Sequence, residues 1–387
     1  MPEAPLPPGL PEGWSRRLAE LAAAREAAGR TRAVAAARGL DFCSNDYLGL
    51  RRDPRLAEAA AAAARDFGAG TGAARLLRGT SPLHDRLEGE LAAWKGFEAA
   101  LLLNTGYQAN ATLIPALAGE GDAIFSDALN HASLVDGCRL AKARGATVEV
   151  YGHLDLADLE ARLARWRAGA KAGALALVAT DTVFSMDGDA ADLPALRALC
   201  DRHGALLLAD EAHASGLLGP EGQGLAAHQG TRAHLSMGTL GKALGSAGAF
   251  VCGSGALINH LVNTCRGFIF STALPPAAVG AALEGLRIAR AEPWRRERAL
   301  AWARRLRAAL GQPDAPSAIV PVLLGDERRA LAAAAGLQEQ GFDIRAVRPP
   351  TVPPGASRLR ITTGAHQAEA DLDALIHALD TALEESL

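Results

Sequence analysis

Short apolar runs alternate with longer amphipathic stretches through the first two thirds of the chain. AALLLN (residues 99–104), AIFSD (123–127), TVEVY (147–151), ALALVAT (174–180) and ALLLAD (205–210) are rich in Leu, Ala and β-branched residues. Stretches with the helical period separate them, at about 107–118, 132–144, 155–167 and 192–203, and two more precede them at 54–66 and 82–95. Buried strands spaced by helices of about 10–15 residues predict crossover units and a mostly parallel sheet. The Ala/Arg/Glu segment 14–30 reads as a separate helix, and DFCSNDYLGL after it as irregular.

From residue 275 the texture changes. PPAAVGAALEGLRIARAEPWRRERALAWARRLRAAL reads as one long helix charged on one face. SAIVPVLLG (317–325), a further helix, DIRAV and SRLRIT then predict a smaller α+β domain. The expected organisation is an N-terminal arm and helix over 1–45, a large domain over 46–275 and a small C-terminal domain over 276–387.

Composition narrows the function classes. A chain of 387 residues with 49% hydrophobic content has material for two or three domains and a large core. Its 40 basic and 43 acidic residues give a net charge of -3, which provides no footprint for a nucleic-acid backbone. Five scattered cysteines form no CxxC pair, so free thiols in a reducing cytosol are expected, with no metal site. The Pro-rich start, MPEAPLPPGLPEGW, lacks the basic and apolar regions of a signal peptide. No apolar stretch approaches the roughly 20 residues that span a bilayer. A cytoplasmic protein without a membrane anchor is the expectation.

In open α/β sheets ligands sit beyond the carboxyl ends of the strands. There LLLADEAHAS (206–215) raises two possibilities, the DEAH box of a helicase or a ring-binding strand end in a cofactor enzyme. A P-loop enzyme also needs GxxxxGK[ST]. The only Gly-Lys pair lies in SMGTLGKALGSAG (236–248), where Ala243 follows Lys242 and two residues separate Gly238 from Gly241. No hydroxyl is available for magnesium, and the helicase reading fails.

A lysine among small residues can instead form an imine with a carbonyl cofactor. Pyridoxal 5'-phosphate (PLP) would also need a carboxylate on its pyridine nitrogen, a phosphate cup and a stacking face. Asp210 can supply the first, and His213 a hydrogen bond to the phenolic oxygen. NTGYQAN (104–110) offers a cup where Gly106 lets the backbone approach and a helix opens at Tyr107, with the Thr239 hydroxyl beside it. NHASL (130–134) puts His131 just past a strand, as a stacking face. Each residue has an ordinary reading: turn lysine, helix-capping Asp, capping or buried His, turn Gly. Their joint order at successive strand ends favours the cofactor.

These residues are identified as belonging to a pattern similar to that of the α-oxoamine synthases, over about residues 14–380. The resemblance rests on SNDYLGL (44–50), TGYQAN, NHASL, VFSMDGD (183–189), DEAHASG (210–216), GTLGKALG (238–245), FSTALPP (270–276) and RPPTVPPGASRLRIT (348–362). It implies an α/β fold, the PLP-dependent transferase fold type I, with a mostly parallel seven-stranded sheet in the large domain. It also implies a homodimeric enzyme that joins an amino acid to an acyl thioester with loss of CO2. RPPTVPPG points to the biotin-pathway branch, which condenses L-alanine with a pimeloyl group on coenzyme A (pimeloyl-CoA) or on acyl carrier protein.

The roles the resemblance implies are as follows. Lys242 binds the cofactor as an imine, Asp210 pairs with its nitrogen, His213 bonds the phenolic oxygen and His131 stacks on the ring. Gly106, Tyr107, Ser185 and Thr239 border the cofactor, and Thr272 reaches the phosphate of a neighbouring subunit. Arg360 holds the amino acid's carboxylate with Asn45 nearby, while Arg32 and Thr351 contact the acyl substrate, Arg30 being the other candidate for that contact. Two departures, Arg78 in LLRGTSPLH and Ala214-Ser215 in DEAHASG, bear on the shape of the acyl channel. The alternatives are a sister reaction on glycine or serine (2-amino-3-ketobutyrate ligase, 5-aminolevulinate synthase or sphingoid-base synthase) and a non-catalytic dimerisation subunit of the same fold.

Overall fold

A computed structural model describes residues 9–385, so the first eight residues of the Pro-rich start lie outside the described residues. The chain forms two compact units. The larger comprises Ser44–Val320 and Thr362–Leu372, and the smaller comprises the described residues up to Cys43, Pro321–Ile361 and those from Asp373 on.

A seven-stranded sheet forms the middle of the larger unit. Its strands are β1 (Ala99–Leu103), β2 (Ala123–Asp127), β3 (Thr147–Tyr151), β4 (Ala176–Asp181), β5 (Ala205–Asp210), β6 (Leu235–Thr239) and β7 (Ala249–Gly253), in the spatial order β1-β7-β6-β5-β4-β2-β3. Only β7 runs antiparallel to its neighbours. Sequence reading gave ranges for β1 to β5 and none for β6 or β7; β7 was missed because AFVCG follows the Gly-rich Lys242 loop with no helix between. Strand β4 starts two residues later than expected and extends to Asp181, which lies opposite Asp210 of β5.

Side chains alternate across this sheet, as the strand pleat requires. Ala100, Leu102, Phe125 and Leu207 enter one buried cluster, and Leu101, Leu103, Ile124 and Leu208 the other. Both faces are covered by helices, so the strands are apolar almost throughout. Polar side chains gather at the carboxyl ends. Across β6, β5, β4 and β2 the last residues are Thr239, Asp210, Asp181 and Asp127.

The helices begin where caps predict. The side chains of Asp53, Thr105, Asp155 and Asp192 each accept a backbone N–H of the first turn. The segment expected as one long helix is two, Pro276–Ala291 and Trp294–Ala309. Pro293 has no N–H to continue the ladder, and the helix stops before it. Both belong to the larger unit, whereas sequence reading had drawn the boundary at 275/276. The reason is close packing: a Cβ on Gly280 would lie 2.7 Å from Ala63 Cβ, and one on Gly285 2.2 Å from the Leu244 carbonyl oxygen.

In the smaller unit the first helix is Glu12–Ala27, shorter than the expected 14–30 at its end, so Arg30 and Arg32 lie in no helix. Leu40–Asp41 pairs in parallel with Phe342–Asp343. A three-stranded sheet orders Ala346–Val347, Ser357–Thr362 and Ile319–Gly325. No described helix is long and apolar enough to cross a membrane.

Candidate active site

Strand β6 ends at Thr239 and the chain turns sharply through Lys242. The Ser246 N–H returns to the Leu240 carbonyl at 2.9 Å, and the Gly245 N–H to that of Lys242 at 3.0 Å. Gly245 has φ +67° and no room for a side chain, since a Cβ would sit 2.7 Å from Leu50 Cβ. That approach seats the lysine loop on the SNDYLGL segment. Lys242 Nζ lies 2.9 Å from His213 Nε2, and His213 Nδ1 lies 2.7 Å from the Tyr47 hydroxyl, which donates to Asn45 Oδ1 at 3.1 Å. Four side chains from three segments thus form one line. Tyr47, fully buried, was not singled out from the sequence although it stands inside a quoted motif.

Asp210 is 3% exposed. Its Oδ2 accepts Asn110 Nδ2 at 2.6 Å and its Oδ1 the Ala212 N–H at 2.8 Å. No cationic side chain pairs with it among the described residues. Asn110 also donates to Ser133 Oγ at 3.0 Å, and Ser133 Oγ lies 2.8 Å from His131 Nδ1. His131 caps the helix Ala132–Lys142, and its own N–H donates to Asp181 Oδ2 at 2.6 Å. The residue keeps an exposed edge, yet enclosure of its inner side pulls its pKa down. The Asp210 charge opposes that shift and the Lys242 ammonium adds to it. Asp181 is driven well above the usual carboxylate range by burial and by the charge of Asp210. Asp210, Lys242 and His131 are therefore within electrostatic reach of one another.

The third cluster is a cradle. The helix Gly106–Leu117 opens just past β1 with Thr105 as its cap, leaving first-turn N–H groups directed outward. A Cβ on Gly106 would meet Thr239 Cγ2 at 2.8 Å, so a glycine is needed for the backbone to approach Thr239. Thr239 Oγ1 is buried without a hydrogen-bond partner, as is Asn110 Oδ1. A buried orphan hydroxyl beside a helix N-terminus fits a phosphate oxygen, and a buried carboxylate without a cation fits a protonated ring nitrogen. The residues present fit a phosphate-bearing pyridine cofactor. Tyr107 stands at the rim, its hydroxyl donating to Asp136 and its ring edge-on to His131 at 6.4 Å between centroids.

Glu211, the second letter of the DEAH box, faces the other way. Its Oε2 lies 2.5 Å from Lys95 Nζ and accepts Ser236 Oγ at 2.7 Å, and its Oε1 accepts the Ala226 N–H at 2.9 Å. It is a buried ion pair, not a metal ligand.

The remaining expected residues are less tightly gathered. Ser185 lies in a turn after β4, closed by the Gly188 N–H to the Phe184 carbonyl at 2.8 Å. Thr272 is exposed, bridges Ala74, and accepts Asn104 Nδ2 on its carbonyl at 2.7 Å. Arg32, Thr351 and Arg360 belong to the smaller unit. There Arg32 Nη2 reaches the Pro349 carbonyl at 3.5 Å, the Thr351 N–H closes a turn on the Arg348 carbonyl at 3.0 Å, and Arg360 lies in the strand Ser357–Thr362. Arg30 is paired with Glu327 at 3.1 Å.

Residues 37–379 match the model of the aminotransferase class I and II family. The 8-amino-7-oxononanoate synthase of Anaeromyxobacter dehalogenans (strain 2CP-1) is 53% identical over 351 residues, covering 89% of this chain and 86% of that protein. A serine palmitoyltransferase solved with PLP has a TM-score of 0.84 at 32% identity, covering 89% of this chain and 87% of that one. The crystal structure of 8-amino-7-oxononanoate synthase from Francisella tularensis has a TM-score of 0.75 at 25% identity, covering 90% and 97%. The chain therefore belongs to the aminotransferase class I and II family, among the fold-type-I transferases, in the 8-amino-7-oxononanoate synthase branch of the α-oxoamine synthases.

Proposed function

We propose that this PLP-dependent acyltransferase condenses L-alanine with a pimeloyl thioester, on coenzyme A or acyl carrier protein, to give 8-amino-7-oxononanoate, CO2 and the free thiol carrier. The observation that carries the reading is the convergence of an amine, Lys242, with a buried carboxylate that has no cation of its own, Asp210, beside a phosphate-sized cradle. The 53% identity to a synthase of that name over most of the chain supports the choice of reaction.

When bound, PLP supplies an electron sink for negative charge developing at the amino acid's α-carbon. Asp210 holds the ring nitrogen in its protonated form, and His213 orients the phenolic oxygen. Gly106, Tyr107 and Thr239 receive the phosphate side, Ser185 borders the ring and His131 covers its face. Lys242 Nζ would anchor the cofactor, and its free amine would take the α-proton. A lysine works as such a base near neutral pH only where desolvation or nearby positive charge disfavours its ammonium form. Asn45 and Arg360 receive the amino acid's carboxylate. Arg32 and Thr351 receive the acyl chain, and Arg32 is preferred to Arg30, whose guanidinium is engaged by Glu327. Thr272 serves the cradle of a second copy in a homodimer. The exposed side chains of Leu77 (82%) and Phe270 (69%), flanking the Ala74–Thr272 bridge in the chain, support burial against a partner.

The test is product mass after incubation with alanine and pimeloyl-CoA or pimeloyl-acyl carrier protein, with glycine and serine as competing amino acids. An 8-amino-7-oxononanoate mass from alanine supports the reading. Product only from glycine or serine would assign a sister reaction. Borohydride reduction of the native enzyme should fix the cofactor to Lys242.

A further inference from the structure

The two groups assigned to the edge and face of the cofactor ring, Asp210 and His131, are joined by two buried side chains to which no role has yet been given. Asn110 is fully buried, and Ser133 is 1% exposed. The Ser133 backbone N–H points at His131 Nδ1 at 3.2 Å. A backbone N–H can only donate, so that nitrogen presents its lone pair and carries no proton. Ser133 Oγ, 2.8 Å from the same nitrogen, then spends its own hydrogen there. Its oxygen is left to accept Asn110 Nδ2 at 3.0 Å, and the same amide group donates to Asp210 Oδ2 at 2.6 Å. Donors and acceptors match along the whole line, from Asp210 through Asn110 and Ser133 to His131.

The two helices that carry this line are pressed together. A Cβ on Gly137 would lie 2.5 Å from the Asn110 carbonyl oxygen, so Gly137 sets the contact between Gly106–Leu117 and Ala132–Lys142 at the level of Asn110. The geometry is fixed by backbone packing and not only by side-chain bonds.

We infer that Asn110 and Ser133 are positioning residues that fix His131 as a neutral imidazole with its proton on Nε2, and tie its orientation to that of Asp210. The use of that proton rests on the reaction proposed above; the tautomer does not. In that reaction His131 is a hydrogen-bond donor, through Nε2–H, to the acyl carbonyl oxygen or the departing carboxylate. It is not a base, and proton removal is left to Lys242.

The experiment uses the full chain labelled with ring-15N histidine, without cofactor at neutral pH, the His131 signal being assigned by its loss in His131→Asn. The expected spectrum has an unprotonated Nδ1 and a protonated Nε2 at His131. A protonated Nδ1 in the wild-type protein overturns the inference without recourse to any buried-site variant. Ser133→Ala keeps the backbone N–H on Nδ1, so the tautomer should hold, but it cuts the tie through Oγ to Asn110 and should slow condensation roughly tenfold, leaving exchange of the amino acid's α-proton unchanged. Full condensation rate in that variant also overturns the inference. Borohydride trapping on Lys242 reports separately on the cofactor reading. Failure of the trap with the expected tautomer intact would remove the reaction and leave the positioning residues standing.

Discussion

Asp210 and Glu211 are adjacent carboxylates, both buried, and they do opposite work. Successive side chains at a strand end point to opposite faces. Glu211 turns toward Lys95, Ser236 and the Ala226 N–H, where its charge is matched inside the protein. Asp210 turns toward the site, where it has two N–H donors and no ion pair, the Lys242 ammonium acting only at longer range. Burying an unmatched carboxylate is costly. A protein keeps such a charge where a ligand is to match it, so the uncompensated member of the pair marks the chemistry and the compensated one marks the scaffold.

The largest break in this contrast comes from the amine that Asp210 serves. Lys242→Ala should lower condensation on the order of 10⁴-fold and remove the borohydride-trapped adduct, with the unfolding midpoint near that of wild type. Retention of the adduct on another residue would refute the assignment. Asp210→Asn comes next, with kcat down on the order of 10³-fold, because a neutral amide no longer stabilises a protonated ring. Exchange of the α-deuteron of labelled alanine isolates that step, and an unchanged exchange rate would count against Asp210. Glu211→Gln should behave differently. It leaves the Lys95 ammonium buried and unmatched, and should cost about 3–5 kcal/mol in denaturant unfolding. Lys95→Met added to Glu211→Gln should recover most of that loss. If Glu211→Gln were as stable as wild type, the scaffold half of the comparison would be lost.

A smaller effect separates cradle from scaffold. Gly106→Ala forces a Cβ to 2.8 Å from Thr239 Cγ2, at the site where the orphan Thr239 hydroxyl is held. Cofactor dissociation, followed by fluorescence titration, should weaken about tenfold while the far-ultraviolet spectrum stays unchanged. Equal affinity in the variant would move the phosphate away from this helix terminus.

What was legible in the sequence follows the same division. Residues at the ends of buried strands, Asp210, Thr239 and the His131 just past β2, stood out because apolar runs stop there. The cradle could be read because Gly106 follows a strand and opens a helix. Tyr47, Asn110 and Ser133 were not singled out, since a buried polar residue inside a helix or irregular segment looks like any other until its partners are known. Lys95 and Glu211 are 116 residues apart, and no local pattern announces their pairing. Strand β7 was missed because its five residues follow a loop instead of a helix. The break at Pro293 was visible as a letter, but the regular charge pattern on both sides of it favoured one helix.

The smallest expected effect concerns the turn that carries Ser185. His153 stands between Asp127 at 2.9 Å and Asp189 at 2.7 Å, edge-on to Phe184 at 4.4 Å between centroids. Burial alone would lower its pKa, but hydrogen bonds to the two carboxylates outweigh it and carry the value up to about 10. A histidine whose pKa rises on folding adds stability in full below its ordinary value of 6.5, and loses that contribution as pH climbs through about 10. Wild-type Tm should therefore fall between these limits by more than that of His153→Asn, which has no proton to lose. Parallel Tm curves for the two proteins across this window would show that the His153 pairs hold nothing. Because Asp189 closes the turn around Ser185 through its carbonyl to the Phe184 N–H, the variant should also lower cofactor affinity, by less than Gly106→Ala does. That ranking places the turn at the edge of the site, supporting the ring from one side and taking no part in the proton chemistry assigned to Asp210 and Lys242.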